Sequence, residues 1–199
     1  MQVSTIFKHP FSSYWILSAA ILLLALLPET VQSWLLYERN ALVQGQIWRA
    51  FSAHLLHSNH WHLLMNIAGL LLVMLLHGGY YHWRSLLLLW LLCAGSISSM
   101  LYLFSPQIHV YVGLSGLLHA MLAMGAIKDI QLKQRSGILL LAGLLAKVLW
   151  EQWQGPDPAL AELINASVAT DAHLYGVFSG AVVALSIVLW QLVKTTPEH

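Results

Sequence analysis

Charge is what this chain has least of. Nine Lys and Arg and eight Asp and Glu make up only 9% of its 199 residues, against about 25% in soluble domains. An ordinary water-soluble domain is excluded on that ground. The two signs nearly cancel, at a formal net charge of +1, so no basic surface is available to nucleic acid. Cysteine is nearly missing as well. Cys93 stands alone inside an apolar run, which rules out a disulfide within the chain and reads as a small buried apolar residue. The HExxH pattern of zinc peptidases is absent. So are internal repeats and low-complexity segments.

What is present is hydrophobicity, at 58% of the residues. Six apolar segments stand out, at roughly 14–27, 60–76, 85–104, 115–127, 137–153 and 172–193. Breakers separate them: Pro28, Gly78-Gly79, Ser105-Pro106, the charged stretch from Lys128 to Arg135, and Gly155-Pro156-Asp157-Pro158. The expectation is an all-α membrane protein, a bundle of six transmembrane helices forming one domain over residues 1–199. The first run ends at Pro28-Glu29 rather than at a small-residue cleavage site, so a cleaved signal peptide is not expected. Lys8, Arg84, Lys128, Lys133, Arg135 and Lys194 fall at the N-terminus, the even loops and the C-terminus. Only Arg39 and Arg49 lie in odd loops. The positive-inside rule then places both termini in the cytoplasm. Trp15, Trp34, Trp48, Trp83, Trp150, Trp153 and Trp190 sit near the ends of the runs, as an interfacial aromatic belt requires.

The fourth segment is too short. From Ser115 to Ile127 it spans about 20 Å at ~1.5 Å per residue, while the hydrocarbon core is ~30 Å thick. The helix should begin inside the membrane, with Ser115 at its outer end. The chain before it must dip in as non-helical backbone, tolerated only where it is buried or lines a wet cavity. Gly113 and Gly116 flank the serine and permit a sharp turn and close packing. Ser115 then either caps the helix or serves as a nucleophile, with free N–H groups beside it for a developing oxyanion.

A serine nucleophile needs a base within hydrogen-bond reach, and the chain has eleven histidines. His77 and His82 read as solvated loop residues. His54, His57 and His60 read as loop ties made by hydrogen bonds. His62 and Asn66 are four apart, share a helix face, and can both donate to an oxyanion. His173 opens the last segment, followed by Gly176 and Gly180, a GxxxG face whose natural partner is Gly116 and Ala120. That crossing would set His173 beside Ser115. His119, one turn below Ser115, is the competing base; it would otherwise brace His173 or hold a water. Asp171 reads as a solvated residue of a loop, and Lys147 and Glu151 as an i,i+4 pair without a catalytic part. A zinc site in the 54–62 cluster is a weaker reading, since no carboxylate lies in it.

GLSG at 113–116, AHxxGxxxG at 172–180 and HWHLLMN at 60–66 together resemble the rhomboid intramembrane serine proteases. The resemblance implies Ser115 as nucleophile and His173 as general base, a dyad without a third acid. It also implies an oxyanion hole of His62, Asn66 and the Ser115 N–H, with no metal or organic cofactor. Trp48-Arg49 matches a Trp-Arg pair of the first outer loop that is usually structural. Residues 154–171 would cap the site. Many rhomboids have a tyrosine, stacked under the catalytic histidine, where this chain has His119. GLSG-xx-H on a compact six-span chain is similar to the rhombosortase branch. That branch implies transmembrane protein substrates with a C-terminal Gly-Gly signal, in the inner membrane of Gram-negative bacteria. The alternatives are an inactive rhomboid-like protein that binds membrane clients, or a haem or metal membrane protein suggested by the histidine count. The sequence carries no sign of oligomeric state.

Overall fold

Each of the six apolar segments folds as a helix. The structure, a computed structural model, describes residues 11–195, so Lys8, His9 and His199 lie outside the described residues. In chain order the long helices are α1 (Ser12–Ala25), α2 (His60–His77), α3 (Trp83–Phe104), α4 (Ser115–Gln131), α5 (Arg135–Gln154) and α6 (Thr170–Thr195). By length and composition, His60–Tyr80, Trp83–Phe104 and Thr170–Lys194 can each cross a membrane, and α1 is a shorter apolar helix. Their outer faces are as apolar as their inner ones. Leu75 is 73% exposed, Leu139 75% and Val193 74%, a surface suited to lipid and unsuited to water.

Local chemistry fixes the helix ends. Asn59 caps α2 by accepting from the His62 N–H. The α5 helix stops at Gly155, whose φ of +78° a side chain would resist. Asp157 then caps a short helix, Pro158–Ile164, with Pro158 in its first turn where a missing N–H costs nothing.

At the centre runs α4. From Gly116 to Ala126 every residue but Leu122 is buried, and α2, α3, α5 and α6 surround it. It continues one turn past the expected end, through Lys128 to Gln131, and its 17 residues span about 26 Å at ~1.5 Å per residue. The close neighbour is α6. A Cβ on Gly176 would overlap the Gly116 carbonyl oxygen, and one on Gly180 the Ala120 carbonyl oxygen. Backbone therefore meets backbone at this crossing.

One expectation about a loop residue is corrected at the other end of α4. His77 is not solvated but 2% exposed, and Asp129 beside it is buried as well. Tyr80 donates to Asp129 at 2.6 Å and His77 Nε2 lies 3.3 Å from the same carboxylate. A buried carboxylate must find such partners.

The stretch between α1 and α2, residues 26–59, is held by its two arginines. Arg49, 6% exposed, donates to the carbonyls of Ser33 at 2.7 Å and Leu36 at 2.8 Å. Arg39 reaches the carbonyls of Leu101 and Tyr102 in the last turn of α3 and that of Ser105 just after it, where a cation complements the helix dipole. Both cations that broke the charge sorting are thus used inside the loop. The fold is nearly all-α, with one departure from that class among the described residues: β1 (Tyr37–Glu38) pairs antiparallel with β2 (Val110–Tyr111). This ribbon ties the first loop to the chain that leads into Ser115.

Candidate active site

The turn before Ser115 is pinned at three points. Gly113 has φ +128°, which L side chains rarely adopt. Its N–H donates to the Ala53 carbonyl at 3.1 Å. Its carbonyl accepts from the Tyr111 hydroxyl at 2.7 Å. Ser115 follows as the first residue of α4, beside N–H groups that have no partner within the helix. A Cβ built on Gly113 would lie 2.8 Å from His62 Nε2 and 4.0 Å from Ser115 Oγ. His62 and Ser115 therefore face one small space that only a glycine leaves open.

Across the α4–α6 crossing, His173 Nε2 stands 2.9 Å from Ser115 Oγ. His119 does not reach that oxygen. Its ring stacks on His173, with centroids 4.2 Å apart and planes at 11°, and its Nδ1–H donates to the Ser115 carbonyl at 2.7 Å. The other face of the matter is Glu151. Its Oε2 lies 2.9 Å from His173 Nδ1, and its Oε1 accepts from Lys147 Nζ at 2.6 Å. A carboxylate only accepts, so Nδ1 carries a hydrogen and Nε2 is left to accept from the Ser115 hydroxyl. The i,i+4 pair of Lys147 and Glu151 forms as its spacing suggests, but the glutamate does more than pair. The expected pair of serine and histidine therefore has a carboxylate in contact with it.

One ligand atom each of His119, Glu151 and His173 lie within 4.8 Å of one another, close enough to invite a metal ion. The stacking argues against that. A metal sits in the plane of each imidazole it binds, and two nearly parallel rings 4.2 Å apart do not share an in-plane point.

Beside Ser115 opens a cavity of about 400 Å³, lined among others by Leu56, His57, His62, Tyr111, Ser115 and Val168. Ile164 and residues 166–169 form one wall. Two hydrogen bonds hold the segment that carries this wall: Ser58 Oγ donates to the Ile164 carbonyl at 2.6 Å and Asn59 Nδ2 to the Leu163 carbonyl at 2.9 Å. Ser58 Oγ also lies 3.0 Å from His62 Nδ1.

A family model described as Rhomboid domain matches residues 44–190, well over half of the chain and the whole of this constellation. The chain belongs to the rhomboid family. Rhomboids are intramembrane serine proteases, and with the apolar helices this makes the chain a multi-pass membrane protein. A comparison with curated proteins returns no match.

Within this rhomboid domain Ser115 and His173, the pair that the motif resemblance singles out, are in contact, and the His119 imidazole occupies the stacking place where the resemblance implies a tyrosine. Asn66 is buried one turn below His62, and its amide donates back to the His62 carbonyl at 3.1 Å. It is not among the residues lining the cavity. Asp171 is half-buried rather than a free loop carboxylate: it accepts from Ser105 Oγ at 2.6 Å and Gln107 Nε2 at 2.9 Å, tying the start of α6 to the chain just after α3. Among the other histidines, His54 is a loop tie, 3.1 Å from Ser98 Oγ, and burial pulls its pKa down to about 4. His57 is not a tie. Its two ring nitrogens are buried without a hydrogen-bond partner, its ring meets His62 edge-on, and burial, then His62, pulls its pKa to about 3.

Proposed function

We propose that this rhomboid is an active serine endopeptidase that cuts the transmembrane anchor of client proteins. The observation that carries the reading is the 2.9 Å contact between Ser115 Oγ and His173 Nε2. In the proposed reaction His173 Nε2 takes the hydroxyl proton as Oγ bonds to the scissile carbonyl carbon. The carbonyl π pair moves onto oxygen, over the space at Gly113. The Ser115 N–H and His62 Nε2 donate to that oxyanion, with Asn66 as a further donor through its second amide hydrogen. Collapse breaks the C–N bond, and His173 returns its proton to the leaving amine. Water then hydrolyses the acyl-enzyme by the same steps, with His173 again as base.

An intact helix hides its carbonyls, so a client must unwind near the cut. Glycine is among the residues that most weaken a helix. Anchors preceded by a Gly-Gly signal suit this need, and the GLSG-xx-H likeness to the rhombosortase branch points the same way. The distribution of Arg84, Lys128, Lys133, Arg135 and Lys194 supports cytoplasmic termini and a site open to the periplasmic side of a bacterial inner membrane. That Ile164 and residues 166–169 form one wall of the cavity supports the reading that the 154–171 stretch caps the site and moves to admit a client.

The test is covalent labelling of the detergent-solubilised protein with a fluorophosphonate, alongside cleavage of a co-expressed Gly-Gly anchored protein. The parent is expected to label and to cut, and Ser115→Ala and His173→Ala to do neither. Equal labelling of parent and Ser115→Ala would remove the serine from the mechanism. Cleavage of other anchors but not of the Gly-Gly client would leave a protease with a different substrate.

A further inference from the structure

We infer that Glu151 completes a Ser115–His173–Glu151 triad, in which its carboxylate orients His173 and stabilises the imidazolium formed during attack, with Lys147 as its counter-ion. The inference rests on the protease reading above and deepens it. A carboxylate in the last turn of α5 is out of place by the helix's own electrostatics, because the dipole there is negative. It is also out of place in an apolar helix, where ionisable side chains need a partner and a purpose. Its two oxygens answer both points. Oε1 holds Lys147 Nζ at 2.6 Å, which favours the ionised carboxylate, and Oε2 accepts from His173 Nδ1 at 2.9 Å.

The consequence for chemistry is specific. With Nδ1–H held by Glu151, the neutral ring presents its lone pair to Ser115 and no other arrangement of the hydrogen competes. When the serine proton arrives on Nε2, the ring becomes a cation between two hydrogen-bond partners, one of them an anion. Glu151 keeps its own charge throughout and takes no proton. His119 stacks on the ring and fixes its plane; its Nδ1–H is engaged by the Ser115 carbonyl, and its Nε2 lone pair lies in a plane nearly parallel to the His173 ring, so it does not accept from His173 Nδ1. Glu151 thus acts through His173 as a positioning residue.

The experiment measures saturation kinetics of fluorophosphonate labelling on the purified full chain for parent, Glu151→Gln, Glu151→Asp, Ser115→Ala and His173→Ala. Glu151→Gln keeps size and shape but can turn an N–H towards Nδ1. It is expected to lower the maximal labelling rate about 10²–10⁴-fold with the half-saturating probe concentration unchanged. Glu151→Asp keeps the charge but is one methylene short, and should recover much of this, ending roughly 10- to 10²-fold below parent. Parental labelling by Glu151→Gln, with Ser115→Ala and His173→Ala silent, overturns the triad and leaves a dyad. A parent that does not label, or a His173→Ala that labels like it, overturns the protease reading and the triad with it. Should Glu151→Gln fail to fold, Glu151→Asp decides: slowed labelling at an unchanged half-saturating concentration supports the triad, and parental labelling overturns it.

Discussion

The α4–α6 crossing makes a sharp prediction for Gly176→Ala. On propensity alone the change should stabilise α6, by up to about 1 kcal/mol for alanine over glycine within a helix. Sterics oppose it. The new Cβ would overlap the Gly116 carbonyl oxygen, and ordinary contact requires the two helices to separate by on the order of 1 Å. Overpacking of this kind costs typically 1–3 kcal/mol, so the net effect on stability is small to moderate. The effect on chemistry is larger. Gly116 adjoins Ser115, and Gly176 lies one turn from His173, so the separation falls directly on the 2.9 Å contact. A contact stretched by ~1 Å leaves the 2.6–3.2 Å range of a working base, and a misplacement of that size costs roughly 10²-fold in rate. The assay compares fluorophosphonate labelling and thermal unfolding of Gly176→Ala with those of Gly143→Ala, whose Cβ would meet nothing within 4 Å. Labelling by Gly176→Ala at the parental rate would refute the claim that backbone contact at this crossing sets the distance between serine and histidine.

Two further expectations concern the cavity wall and the histidines of the stretch between α1 and α2. Ser58→Ala removes a cap tether, with a loss of about 1 kcal/mol; amide hydrogen exchange over residues 158–169 should quicken, and unchanged exchange would show that the tether does not hold the cap. His54 and His57 have pKa values pulled to about 4 and about 3, below the ~6.5 of an unfolded chain. The unfolded chain then binds more protons, so their contribution is full above pH ~6.5 and is lost as pH falls towards those values, by at most ~1.4 kcal/mol per pH unit for each histidine. Unfolding temperature in detergent should drop between pH 6.5 and 4, and a less steep drop in His57→Phe checks the assignment.

The pattern of helices and the glycine register were legible in the residues, because breakers and small residues mean the same thing in lipid as in water. Gly176 and Gly180 pointed to Gly116 and Ala120 by spacing alone, and those are the positions that meet. Rotation of the remaining helices was not legible. A soluble helix declares its buried face by its apolar stripe, whereas α3 or α5 is apolar on the lipid side as well. Polar residues then carry the information, and their partners lie on other helices. Glu151 could be paired with Lys147 from an i,i+4 count, but its second oxygen faces His173, 22 residues away. His77 and Asp129 looked like loop residues for the same reason: 52 residues separate them, and only packing shows that they share a buried bond. Ser58 gave no signal at all, since a serine before a helix cap is ordinary.

That serine acts through two groups at once. Its hydroxyl donates to the Ile164 carbonyl at 2.6 Å, while its backbone N–H donates to His62 Nδ1 at 3.4 Å. With Nδ1 accepting, the neutral imidazole carries its own hydrogen on Nε2, the nitrogen that faces the space at Gly113. A backbone donor is not spent by the bond that the hydroxyl makes, so one ordinary residue both fastens the cavity wall and sets the tautomer that points a proton at the space beside Ser115.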